Sequence, residues 1–345
     1  MEELSTKYLD WKNVTEDELS IKDVSGYGGN STYCISRKIA DNVVAQIAFH
    51  VVGEKSSFKN QPDLLNVQKS ATDIFALQGL CPNRLTEKED QFFINQWLKI
   101  SKEVGDENLD VNLAEKLGCL LGKIHSIHPK WYDSHYEKLL ENYPSLIDVP
   151  KASSFWYLTA RNWKLMFDIP CSMDEWMNRL SSEHKLYTDF EIYPTSPAGL
   201  AVVTTHGDFH MGNILKSEDG VLNVLDFEQT HVSLAIQDLS YFFFAMPPTP
   251  TSRLEVKLAF CRGYLKALGY PHNEEDVFAL ALDTELCTLS TGFMSPLFQD
   301  FVQTSKLSEE KQARFRLVKL FVNSISNYDL LEKDHLESSK MNRLF

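Results

Sequence analysis

Residues 204–230, TTHGDFHMGNILKSEDGVLNVLDFEQT, carry the densest mixture of polar and apolar residues in the chain. AVVTT leads into them as a short strand. Gly207 interrupts it, and His206, Asp208, His210 and Asn213 fall within eight residues. NIL and VLNVLDF then flank the turn residues SEDG, the pattern of a β-hairpin with a four-residue connection and a carboxylate at its far end. Such a hairpin can return Asp226 towards Asp208 and Asn213. Two carboxylates and one amide oxygen suit Mg²⁺, a hard cation that keeps several waters and bridges phosphates. Asp208 would receive or orient the proton of an attacking hydroxyl, while Asn213 and Asp226 would hold the metal. Zinc fits less well, because His206 and His210 are not in an HExxH helix and Gly207 opposes one.

On the N-terminal side the apolar residues come in short runs. Residues 19–24 alternate imperfectly, 33–36 are β-compatible, and VVAQIAFHVV from Val43 is rich in branched side chains. Gly26, Gly28, Gly29 and Asn30 separate the first two, so the order is strand, glycine turn, strand, strand. Residues 60–79 read as a turn at Pro62 followed by a helix ending near Gly79, since Leu65, Val67, Ala71, Ile74 and Phe75 recur at helical spacing. FFINQWL, residues 92–98, is the next strand, and the acidic stretch 102–110 reads as a connector.

Beyond that connector the pattern turns helical. In 111–127, Leu113, Leu117, Leu120, Leu121 and Ile124 share one face. His125 and His128 near its end have no local acidic or cysteine partner, so packed or helix-end histidines are the default reading over a metal pair. Residues 156–167 and 173–180 read as aromatic-rich helices, and 253–268, 274–289 and 311–330 as further helices, with a loop at Pro247, Pro248 and Pro250. The expected class is α+β, with a mostly β N-lobe over 1–99 and a mostly helical C-lobe over 100–345.

The bulk composition agrees with two lobes, because 345 residues at 43% hydrophobic content exceed what one core usually fills. No apolar run approaches 18 residues and the N-terminus opens with acids, so a cytoplasmic chain without membrane insertion is expected. The six cysteines are scattered without a CxxC and read as reduced thiols. A formal charge of -14 argues against nucleic-acid binding and favours a cationic small substrate over an anionic one.

HGDFHMGN followed by LDFE resembles the catalytic loop and metal-binding segment of the aminoglycoside phosphotransferase and choline kinase-like family, a branch of the protein kinase-like fold. The similarity extends over residues 18–264. It implies a two-lobed kinase-like architecture that uses ATP and Mg²⁺. Asp208 would match the catalytic aspartate, Asn213 the loop metal ligand, and Asp226, with Glu228 beside it, the aspartate that binds metal at the nucleotide phosphates. His206 and His210 would be supporting loop residues, and Asp238 in IQDLSYF would support the loop instead of reacting.

SGYGGNSTY, residues 25–33, resembles the nucleotide-covering turn, with Gly28, Gly29, Asn30 and Ser31 near phosphate. The backbone at Gln96, Trp97 and Leu98 would meet adenine. One departure stands out: the family's basic residue in the third strand is here Gln46, and the glutamate that orients it is Gln68.

The implied activity is γ-phosphoryl transfer to a hydroxyl of a small metabolite, such as an amino alcohol, an aminoglycoside-like compound or a sugar. Trp156, Trp163, Trp176, Asp174, Glu175, Asp283 and Glu285 are candidates for an acidic and aromatic acceptor surround. A nucleotide-binding regulatory pseudokinase, motivated by Gln46 and Gln68, is the alternative, and a metal-dependent hydrolase is a weaker one. The sequence does not specify an oligomeric state.

Overall fold

The computed structural model describes residues 11, 13–25, 31–39, 42–51, 62–85, 92–98, 100–144, 147, 196–246 and 253–291. The expected helices at 156–167, 173–180 and 311–330, the acceptor candidates Trp156, Trp163, Asp174, Glu175 and Trp176, and the turn residues Gly28, Gly29 and Asn30 lie outside them. The chain divides into two compact units, Met1–Asp106 with Trp131–Pro144 and Met211–Thr230, and Glu107–Lys130 with Ser145–His210 and His231–Phe345. The first unit thus takes in two segments from beyond residue 99.

Its main sheet is an antiparallel meander of β1 (Leu19–Asp23), β2 (Ser31–Ile39), β3 (Asn42–Val51) and β4 (Phe92–Gln96). Cross-strand partners such as Ile35 with Ile47 and Phe49 with Ile94 share one face. Trp11, Ile47 and Ile94 form the buried centre there, with Ile35, Phe49, Leu85 and Phe92 packed around them. Ser31 and Thr32, expected in the glycine turn, are the first residues of β2 and pair with Val51 and His50.

The opposite face is polar. The His50 ring stacks on Phe93 at 4.5 Å, its Nδ1 lies 3.0 Å from Thr32 Oγ1, and burial lowers its pKa to about 4.

Helix α1 (Pro62–Leu77) starts on proline, whose missing N–H costs nothing in the first turn. It ends where Gly79 takes φ 67°, a conformation in which a Cβ would be strained. A second sheet orders β5 (Ile100–Glu103), β7 (Ile214–Ser217) and β8 (Leu222–Val224), with β7 and β8 forming the expected hairpin. β5 overlaps the start of the stretch expected to be a connector.

In the second unit, Asp110 Oδ1 caps helix α2 (Val111–His125) by accepting the Leu113 amide at 2.8 Å. Helix α3 (Asp133–Asn142) belongs to the first unit, where His135 Nε2 meets Ser70 Oγ of α1 at 3.0 Å. After α4 (Pro197–Leu200), strand β6 (Val202–Thr205) pairs with β9 (His231–Leu234), followed by α5 (Ala235–Ala245), α6 (Arg253–Ala267) and α7 (Glu274–Thr291).

Helices α2 and α6 cross with their backbones in contact. A Cβ at Gly118 would lie 2.0 Å from the Phe260 carbonyl oxygen, and one at Gly263 would lie 2.1 Å from that of Glu115. Phe242 and Phe260 stack at 4.2 Å in the core beside this crossing. Among the described residues no helix is long and apolar enough to cross a membrane.

Candidate active site

β6 delivers the chain to the loop at 206–213 from a fully buried position. Thr204 Oγ1 donates to the Ile127 carbonyl at 2.9 Å and Thr205 Oγ1 to the His231 carbonyl at 3.0 Å, so both hydroxyls are satisfied inside the unit. The loop then turns at Gly207, where φ is 84°.

The Asp238 carboxylate, in the first turn of α5, holds this turn in place. Its Oδ2 accepts the His206 amide at 2.6 Å and its Oδ1 the Gly207 amide at 2.8 Å. His125 Nε2 lies 3.1 Å from the same Oδ2, and His125 Nδ1 lies 2.8 Å from the Tyr264 hydroxyl. Nε2 donates to the carboxylate, and Nδ1 shares the second hydrogen bond with the phenol. His125 is therefore a satisfied core histidine.

Asp238 is 1% exposed. Burial pushes its carboxyl up, but the hydrogen bond and charge of His125, with His206 and its amide, outweigh burial and hold it below the ordinary value. Tyr264 is driven well above its ordinary value by burial first and the Asp238 charge second.

The His206 ring is buried and its Nδ1 accepts the Asp208 amide at 3.2 Å, which tightens the turn behind that residue. Asp208 is half-buried, with His210 Nε2 3.6 Å from its Oδ2 and the Tyr241 hydroxyl bonded to the carboxylate. Burial pushes the Asp208 carboxyl up, while the contacts with His210 and Tyr241 and the charge of His210 bring it down to about 2. The group is an ionised, preorganised acceptor. Tyr241 carried no role in the sequence reading, and the only signal for it was its place three residues after Asp238, on the same helical face.

Asn213 and Asp226 belong to the first unit, at the open end of the β7–β8 hairpin. The Asn213 carbonyl accepts the Leu225 amide at 2.9 Å, which fastens the residue before Asp226 to the loop. Asp226 is exposed and has φ 63°, a left-handed conformation in a non-glycine residue. Phe227 behind it is buried edge-on against Phe75 of α1, with ring centroids 4.8 Å apart. Glu228 is half-buried.

Among the described residues no three His, Cys, Asp or Glu side chains converge as a metal cluster. Asn213 and Asp226 would offer one amide oxygen and one carboxylate. That suits Mg²⁺, which keeps most of its water, better than a cation needing a full protein cage.

The sheet-borne candidates are placed as follows. Gln46 in β3 donates from Nε2 to Ser36 Oγ at 3.0 Å and lies 3.5 Å from Cys34 Sγ. Gln68 in α1 is 7% exposed, and its Oε1 has no hydrogen-bond partner among the described residues. Ser31 is half-buried, and the Gln96 amide is committed to the Asn83 carbonyl at 2.8 Å, leaving Trp97 and Leu98 as the segment that follows β4. In the second unit Asp283 accepts the Ser196 amide at 2.8 Å and is buried.

Two comparisons bear on the fold and the family. Among solved structures, choline kinase from Cryptosporidium parvum Iowa II is similar at 13% identity over 96% of this chain and 97% of that one, with a TM-score of 0.64. A Plasmodium vivax ethanolamine kinase is similar at 13% identity over 89% and 82%, with a TM-score of 0.59. At such identities the likeness shows the fold, which is protein kinase-like and α+β. Compared by sequence with curated proteins, the chain finds no match. The phosphotransferase enzyme family matches residues 72–271, more than half of the chain and the whole loop and hairpin described above; the chain belongs to that family.

Proposed function

We propose that this protein transfers the γ-phosphoryl group of ATP to a hydroxyl of a small metabolite, with Asp208 as the group that receives the acceptor's proton. The observation that carries the reading is the Asp208 carboxylate itself, ionised, held from two sides, and set on a loop that a buried Asp238 clamps through two amides.

A carboxylate whose pKa is about 2 is a weak base. It therefore orients the hydroxyl early and takes the proton late, which suits a loose phosphoryl-transfer transition state. The acceptor oxygen forms its bond to the γ-phosphorus as the bond to the ADP oxygen breaks, and the proton leaves to Asp208. Asn213 and Asp226 would hold Mg²⁺, which supplies charge neutralisation at the phosphates.

The acceptor class is an amino alcohol. The two structural relatives are named for choline and ethanolamine, and the net charge of -14 favours a cationic substrate.

The test is to incubate wild type and Asp208→Asn with Mg²⁺, terminally labelled ATP and a pool of hydroxylated metabolites, and to follow the label by mass. A phosphorylated product from wild type, reduced by at least about a hundredfold in Asp208→Asn, is expected. Nucleotide binding without transfer would instead favour a regulatory pseudokinase. The specific observation behind that second reading is that Gln46 and Gln68 are neutral amides and that Gln46 donates to Ser36, so neither supplies charge.

A further inference from the structure

Helix α5 presents two polar groups to the loop from one face. Asp238 takes the backbone amides of His206 and Gly207. Tyr241 follows three residues later, the spacing that stacks side chains on a common face, and its hydroxyl donates to the Asp208 carboxylate. The Tyr241 ring also lies 6.4 Å from that of His210, at 54° between planes. His210 Nε2 in turn stands 3.6 Å from Asp208 Oδ2.

Asp208 is thus approached by donors from two elements, His210 on its own loop and Tyr241 on α5. The third titratable group facing it is His206, also on the loop. A carboxylate has two oxygens and about four lone-pair sites, so these contacts fix the rotamer and still leave a site for an incoming hydroxyl.

We propose that Tyr241 is a positioning residue for phosphoryl transfer, its phenol locking the Asp208 carboxylate in the orientation that accepts the substrate hydroxyl. This rests on the phosphotransferase reading above. A tyrosine in the run YFFFA would otherwise pass for packing, as Phe242 and Phe243 beside it do. What separates Tyr241 from them is its polar tip, set on the group expected to handle the proton. The preorganisation argument gives the direction: a free carboxylate samples rotamers that miss the acceptor, and each misplacement slows the chemical step.

The experiment compares full-length wild type with Tyr241→Phe, which removes one oxygen from a half-buried ring. The acceptor is the one that the label-transfer assay identifies. Expected are a fall in kcat of about tenfold to a hundredfold, an unchanged KM for ATP, and an acid limb of the pH–rate profile displaced to higher pH, because a donor to the ionised carboxylate is gone.

In parallel, the Asp208 side-chain carbon, assigned with Asp208→Asn in ¹³C-aspartate-labelled protein, is titrated by NMR in both proteins. Its midpoint is expected to rise in Tyr241→Phe. An active wild type with the same kcat and the same limb in the variant overturns the proposal, as does an unchanged carboxyl midpoint. A wild type that transfers phosphate to no acceptor would sink the phosphotransferase reading instead, and the carboxyl titration would still decide whether Tyr241 holds Asp208.

Discussion

Asp238 and His206 are joined by a hydrogen bond of 2.6 Å, from a backbone amide to a carboxylate 32 residues later that has almost no contact with water. The sharp turn of the loop at Gly207 therefore depends on a charge inside the second unit, kept there by His125 and, behind it, Tyr264.

Replacing Asp238 by asparagine keeps the shape but turns one acceptor oxygen into a donor facing an N–H group. The loss is expected to be about 3 kcal/mol of stability. Urea unfolding of wild type and Asp238→Asn measures it, and a change below about 0.5 kcal/mol would mean that the buried charge is not holding the turn.

Acid stability follows from Asp208. Its folded value of about 2 lies below the ordinary 3.8, so the folded state binds the proton more weakly than the unfolded chain does. The stabilisation is therefore present above the ordinary carboxylate value and is lost as the pH falls through about 2. At 1.36 kcal/mol per pKa unit it amounts to about 2 kcal/mol. Urea midpoints from pH 5 down to pH 2 should fall more steeply for wild type than for Asp208→Asn, and parallel curves would contradict the assignment.

Gly118→Ala and Gly263→Ala each place a methyl group within about 2 Å of a carbonyl oxygen on the facing helix. Neither backbone can yield without separating α2 from α6, so a loss of about 3 kcal/mol or more is expected. Gly220→Ala is the control. It meets nothing within 4 Å, and only its φ of 84° opposes a side chain, which costs about 1 kcal/mol. Thermal unfolding midpoints should fall furthest for the first two and least for the control.

Gln68→Met removes a buried amide oxygen without a partner among the described residues and keeps an unbranched side chain of similar length. A gain of about 1 kcal/mol is expected. A loss of stability in urea would show that the amide is held by more than packing.

The sequence was most legible where chemistry and period coincided. The β7–β8 hairpin announced itself through apolar runs around SEDG, and α1 through helical spacing closed by a glycine that takes positive φ. β5 was hidden because four residues containing a lysine and a glutamate cannot establish a period of two against a charged neighbourhood. The ten residues of α3, of which only Tyr136, Leu139 and Leu140 are apolar, gave no such pattern either.

Among the candidate site residues, Asp208, Asn213 and Asp226 stood out because nothing about packing requires them. Tyr241 did not, since its aromatic ring matched the core-forming residues around it and its hydroxyl partner lay on another element. Gln46 and Gln68 were visible as departures. That Gln46 turns to Ser36 while Gln68 Oε1 meets no partner among the described residues could only come from the three-dimensional arrangement.

The left-handed backbone at Asp226 bears on how this protein can change under selection. With φ at 63°, the position is comfortable for glycine and tolerable for asparagine, while branched residues are excluded. A library screened for heat tolerance alone should enrich Asp226→Gly, which sheds backbone strain along with the carboxylate. On the metal-holding role proposed for Asp226, a screen for phosphoryl transfer should purge the same substitution. Durability and turnover would then be selected in opposite directions at a single codon.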